Sequence, residues 1–96
     1  MRKKVLHKFR LYIAGNAGNS ALAIQNLNTI CRAHLPGHYE IENVDVFKEP
    51  QRALADIVVM TPTLIKLSPK PMCRIVGTLS ETKSVMNALG LVADGA

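Results

Sequence analysis

Two cysteines, three histidines and a glycine-asparagine loop are the residues of this chain best suited to chemistry, and their spacing argues against most of it. Cys31 and Cys73 form neither a Cys-x-x-Cys pair nor a zinc ligand set, and a reducing compartment leaves both as thiols. A dithiol redox centre needs a thiolate at the N-terminus of a helix, where the helix dipole lowers its pKa. The turn before the first predicted helix reads Asn16-Ala17-Gly18-Asn19 and carries no thiol. That loop also lacks the Gly-Lys-Ser/Thr ending of a phosphate-binding loop and the three-glycine dinucleotide fingerprint, so it reads as a turn and a cap. His7, His34 and His38 have no metal spacing: the one close pair is split by Pro36-Gly37, and surface or packing roles are expected. Asp45 and Asp56 are the acids nearest apolar runs, with no nucleophile or base beside them. No catalytic residue, metal or cofactor is expected, and the chain reads as a non-enzyme.

Ninety-six residues, 48% hydrophobic and 20% charged, suit one folded domain over 1–96 whose thin stability margin self-association would augment. Twelve Lys and Arg against seven Asp and Glu leave a net charge of +5, with Arg2, Lys3, Lys4, Lys8 and Arg10 crowded into the first ten residues. A basic balance favours acidic partners. No helix-turn-helix, zinc or aromatic RNA-binding signature accompanies it, so nucleic acid is not an expected partner. No apolar run approaches the ~20 residues that cross a bilayer, so no membrane span is expected and the chain reads as cytoplasmic.

The elements that must carry these residues follow from periodicity. Residues 5 to 13 alternate, with Val5, Phe9, Leu11 and Ile13 on one face and Lys8, Arg10 and Tyr12 on the other, which predicts a strand with one buried face and charges that blunt edge pairing. A helix is expected from about residue 20, capped by Asn19 or Ser20. Its stripe of Ala23, Ile24, Leu27, Ile30, Cys31 and Leu35 makes Cys31 a small core residue, and Pro36-Gly37 stops it. Residues 39 to 47 read as a strand in which Tyr39 and Ile41 share one parity and Val44 and Val46 the other, predicting a bulge near Asn43. Pro50 opens a short helix with Ala53, Leu54 and Ala55, while Ile57-Val58-Val59-Met60 reads equally as its continuation or as a strand. Thr61 to Leu67 and Cys73 to Gly77 suit a hairpin across the turn with Pro69 and Pro71. Ser80 caps a last helix carrying Val85, Met86, Leu89 and Val92, with Gly90 near its end. Strand, helix, strand, short helix, strand, strand, helix is the thioredoxin-like order.

The segments Leu11-Tyr12-Ile13-Ala14-Gly15-Asn16 with Asn19-Ser20, Val44-Asp45-Val46 with Pro50-Gln51, Thr61-Pro62-Thr63-Leu64, and Arg74-Ile75-Val76-Gly77 with Leu79-Ser80 together resemble the KaiB family over about residues 8 to 92. Ala17-Gly18, where members commonly read Thr-Pro, and the broken proline run Ser68-Pro69-Lys70-Pro71 are departures. The resemblance implies an α/β, thioredoxin-related KaiB fold. The free chain is then expected in the oligomeric ground-state topology βαββααβ, as a tetramer or dimer, with the thioredoxin-like topology βαβαββα as the alternative. It implies a non-enzymatic regulator that binds a KaiC-type ATPase by switching fold, in circadian timing or stress adaptation. The rival readings are a thioredoxin-like redox protein and a KaiB-like sensor module interacting with a histidine kinase. By position, Lys66, Lys70 and Arg74 become partner-binding candidates, and Pro62, Pro69, Pro71, Gly77 and Gly90 fold-switch candidates.

Overall fold

The alternation that begins at His7 becomes β1 (His7–Ile13) in the computed structural model, which describes residues 5–91. Arg2, Lys3, Lys4 and Val92, which entered the sequence reading, lie outside the described residues. After β1 come α1 (Gly18–His34), β2 (Tyr39–Asp45), α2 (Pro50–Ala55), β3 (Thr63–Ser68), β4 (Cys73–Val76) and α3 (Thr82–Leu89). This is the order βαβαββα, so the single chain takes the thioredoxin-like arrangement rather than the βαββααβ order expected of the free protein.

The four strands lie in the order β2-β1-β3-β4. β1 pairs parallel with β2, across the crossover made by α1, and antiparallel with β3. It is therefore an interior strand, and Lys8 and Arg10 do not guard an edge as expected. β3 and β4 form the expected hairpin, with Thr63 opposite Val76 and Lys66 opposite Cys73. The peptide bonds before Pro62, Pro69 and Pro71 are cis.

Both faces of this sheet are covered. On one, Phe9, Leu11 and Leu64 pack with Ala23, Leu27, Ile30 and Cys31 of α1 and with Val85 and Leu89 of α3. The i, i+3, i+4 spacing of α1 aims its apolar stripe at the sheet, and each large side chain buried there contributes about 2 kcal/mol. On the other face, Tyr12, Val44 and Ile65 pack with Ala53 of α2. Tyr12 is fully buried, which corrects the reading of β1 as one-sided. The same fact explains the mixed parity of β2: Tyr39 and Ile41 serve the first cluster and Val44 the second, in continuous register and without a bulge at Asn43. The one irregularity lies between Lys8 and Phe9 in the pairing with β3.

Helix ends differ from expectation in detail. α1 begins at Gly18 without a side-chain cap, and Ser20 is buried, its Oγ accepting a hydrogen bond from the Ala14 amide at 2.9 Å. Leu35 closes α1 by donating its amide to the Cys31 carbonyl, just ahead of Pro36 and Gly37. Pro50 occupies the first turn of α2, where its missing N–H costs nothing. Glu81, not Ser80, precedes α3, and Gly90 ends it in the left-handed conformation (φ 74°) that glycine adopts without strain. Residues 57–60 are neither helix nor strand but loop.

Candidate partner-binding face

The α2 side of the sheet gathers a cluster of paired charges. Tyr12, Arg10 and Glu42 point there from β1 and β2, Arg52 and Asp56 come from α2 and its C-cap, and Arg74 comes from β4. Tyr12 Oη sits against the Asp56 carboxylate and 3.0 Å from the Arg52 carbonyl. Arg10 lies between two acids, with Nε 3.0 Å from Glu42 Oε1 and Nη1 3.0 Å from Asp56 Oδ2. Arg52 Nη1 reaches Glu42 Oε2 at 2.8 Å and Glu49 Oε1 at 3.4 Å. Hydrogen bonds from Arg52 and Arg10 hold the Glu42 carboxyl down at about 2. The Tyr12 hydroxyl, with Arg10 beside it, also lowers the Asp56 pKa, while burial and that same bond raise that of Tyr12. With Glu42 paired to Arg10 and Arg52, and Asp56 to Arg10 and Tyr12, the cluster braces α2 on the sheet.

Beside this brace several large apolar side chains are exposed. Leu54 is 76% exposed, Ile57 73% and Val59 84%, with Phe47 and Met60 also open to solvent. Large side chains so exposed, within the stretch from Phe47, just before α2, to Met60, just before β3, mark a contact surface more often than a solvated one. Sequence reasoning treated Ile57 to Met60 only as an undecided element. The signal present was the run of four apolar residues beside a six-residue helix too short to bury them.

The three cations named from sequence do not act together. Lys66 is 5% exposed and its Nζ approaches the Leu89 carbonyl at 3.5 Å, on the α1 and α3 face. It is therefore not a surface charge in this fold, because its position on β3 has the parity of the buried Leu64. Lys70 is exposed in the β3–β4 turn. Arg74 is exposed on the opposite face from Lys66, with Nη1 2.9 Å from the Ile57 carbonyl and Nη2 against that of Asp56. Of the fold-switch candidates, Pro62 is buried, Pro69 and Gly77 are half-buried, and Pro71 and Gly90 are exposed.

The thiols lie away from this face. Cys31 is fully buried in α1 and burial pushes it up to about 11, so it is a protonated thiol at neutral pH. Cys73 is half-buried. His7, His34 and His38, separate in sequence, line one cleft with Val5, Leu35 and Pro36 at the far end of the sheet. Among the described residues no three His, Cys, Asp or Glu side chains group closely enough to hold a metal ion, and no helix is long and apolar enough to cross a membrane.

Two layers of helix on a four-stranded sheet in this order define the thioredoxin-like class, and solved structures agree. The chain superposes on the N-terminal domain of Synechococcus elongatus SasA with a TM-score of 0.74 at 18% identity, covering 100% of this chain and 93% of that one. It matches mitochondrial thioredoxin 3 of Saccharomyces cerevisiae with a TM-score of 0.71 at 18% identity, covering 93% and 82%. At such identities the likeness is one of fold. The particular family comes from sequence: residues 10–91 match the model of the KaiB domain. The chain is 44% identical over 86 residues to circadian clock protein KaiB3 of a Synechocystis strain, spanning 90% of this chain and 84% of that protein. It is 39% identical over 89 residues to the circadian clock oscillator protein KaiB of a Cyanothece strain, spanning 93% and 85%. The chain belongs to the KaiB family.

Proposed function

We propose that this protein is a non-enzymatic regulator in circadian timing or stress adaptation, acting in the cytoplasm by binding a KaiC-type ATPase. Its relatives carry the name of circadian clock proteins along nearly their whole length, which supports a timing role. The observation that carries a binding role is the run of exposed apolar side chains at Leu54, Ile57, Val59 and Met60 beside a fully paired charge cluster. Such a surface gains from burial against a partner and offers no reacting group. Lys70 is the candidate cation placed to meet an acidic partner surface, since Lys66 is buried and Arg74 is occupied by backbone carbonyls.

Self-association of the free chain to a tetramer or dimer, with a change of fold before docking, belongs to the same reading. The segment 57–60 supports it, being apolar enough for helix or strand yet held as loop here. Pro62, Pro69, Pro71, Gly77 and Gly90 all lie in the half that would rearrange. Light scattering behind size exclusion, with and without a KaiC-type ATPase and ATP over hours, tests the proposal. Slow co-elution from a free oligomer is the expected result, and absence of any complex with such a ring would remove the partner.

A further inference from the structure

Two non-glycine residues among those described have positive φ: Ile57 at 53° and Leu79 at 62°. For L-residues this region brings Cβ against the backbone, and for a β-branched side chain it is a marked outlier. Leu79 is almost wholly buried, so core packing offsets its conformation. Ile57 is 73% exposed, so its side chain offsets nothing.

What holds Ile57 must therefore be its backbone: its amide donates to the Leu54 carbonyl at 3.1 Å, as at a Schellman helix end, and its carbonyl is left for Arg74. From the neighbouring edge strand β4, its guanidinium donates Nη1 to the Ile57 carbonyl at 2.9 Å and Nη2 to the Asp56 carbonyl. A planar fork of fixed donors matches two successive carbonyls in a way that an ammonium does not. The rest of the turn is pinned from the core: the Asp56 carboxylate by Tyr12 and Arg10, the Val58 amide by the Ala53 carbonyl at 2.9 Å, and the Met60 carbonyl by the Thr63 hydroxyl at 2.6 Å. The left-handed residue reverses the chain after α2, turning Val58 toward the core and leaving Ile57, Val59 and Met60 outward.

We infer that Arg74 is a positioning residue, a clamp on the strained Ile57 turn that presents the apolar loop 57–60 to a partner protein. Its role as a clamp stands on the free chain alone, while the docking role of the loop rests on the function proposed above. Strain held at an exposed, functional loop must be balanced by contacts elsewhere, and the two bonds from Arg74 share that balance with the Leu54 and Ala53 carbonyls.

Amide hydrogen exchange of the full-length free protein, read at Val58, tests the clamp. Arg74→Lys keeps the charge and loses the fork, and exchange at Val58 should rise about tenfold while amides of β1 are unchanged. Ile57→Asn removes the β-branch and tolerates the left-handed region, so alone it should slow Val58 exchange, and combined with Arg74→Lys it should restore it. Unchanged exchange in Arg74→Lys, or faster exchange in Ile57→Asn, overturns the clamp. The single Ile57→Asn variant keeps the test decisive should Arg74→Lys unfold. Binding to a KaiC-type ring is then compared: weakening by Arg74→Lys that Ile57→Asn reverses supports presentation of the loop. Loss that persists while Val58 exchange is restored means Arg74 contacts the partner directly and overturns the positioning role. If no variant and no parent chain binds such a ring, the proposed partner falls while the exchange result still decides the clamp.

Discussion

The hydroxyl of Tyr12, at the centre of the sheet, donates to the carboxylate of Asp56, the residue that closes α2. Strands β1 and β2 thereby hold a helix and a turn from the second half of the chain, with Arg10 and Glu42 completing the contact. α2 itself is six residues long and too short to be stable alone, so the shape of this face depends on such contacts with the sheet.

Tyr12→Phe removes one hydroxyl from a fully buried side chain and leaves the ring packing intact. The Asp56 carboxylate loses the one hydroxyl proton donated to it, so the change should cost about 1–3 kcal/mol. Urea denaturation followed by circular dichroism reads this as a lower midpoint with an unchanged slope. An unaltered midpoint would mean that water replaces the hydroxyl without cost.

Acid should loosen the same face. The folded-state pKa of Glu42 is depressed to about 2 and that of Asp56 is also lowered, so both groups stabilise the fold above the unfolded carboxylate values near ~4. The Glu42 contribution is lost as pH falls from about 4 toward about 2, and that of Asp56 as pH falls below its unfolded value. Thermal melts across this range should show a falling midpoint, and Glu42→Gln should flatten part of the slope. Glu42 is half exposed, so salt should weaken its share.

Leu27 and Leu54 should separate stability from docking. Leu27 is fully buried between α1 and the sheet, and Leu27→Ala should cost about 2–5 kcal/mol. Leu54 is 76% exposed, so Leu54→Ala should change stability by no more than about 0.5 kcal/mol. In a pull-down with a KaiC-type ATPase, Leu54→Ala should nevertheless weaken capture. Equal capture of Leu54→Ala and parent would place the interface elsewhere.

Thiol labelling checks the place of Cys31 in the core. Cys31, buried with its pKa pushed up to about 11, should resist an aromatic disulfide reagent at pH 8 until urea unfolds the chain. Fast labelling of Cys31 in the folded protein would contradict its place in the core.

Much of the fold was legible in local patterns. The spacing of Ala23, Leu27, Ile30 and Cys31 set the buried stripe of α1, the prolines between β3 and β4 marked the hairpin turn, and Gly90 marked the end of α3. The segments shared with KaiB proteins sufficed to place the family. Tertiary structure alone decided which faces were covered. Tyr12 alternates with Leu11 and looks solvent-facing until α2 closes over it, and Lys66 looks like a surface cation until α3 supplies the Leu89 carbonyl. Ile57 to Met60, apolar enough for helix or strand, are loop where α2 ends, with the Val58 amide on the Ala53 carbonyl and the Ile57 carbonyl bonded by Arg74, 17 residues on. Periodicity tells which residues share a side of one element. What packs against that side depends on contacts between residues far apart in the chain, and those contacts carry no local signature.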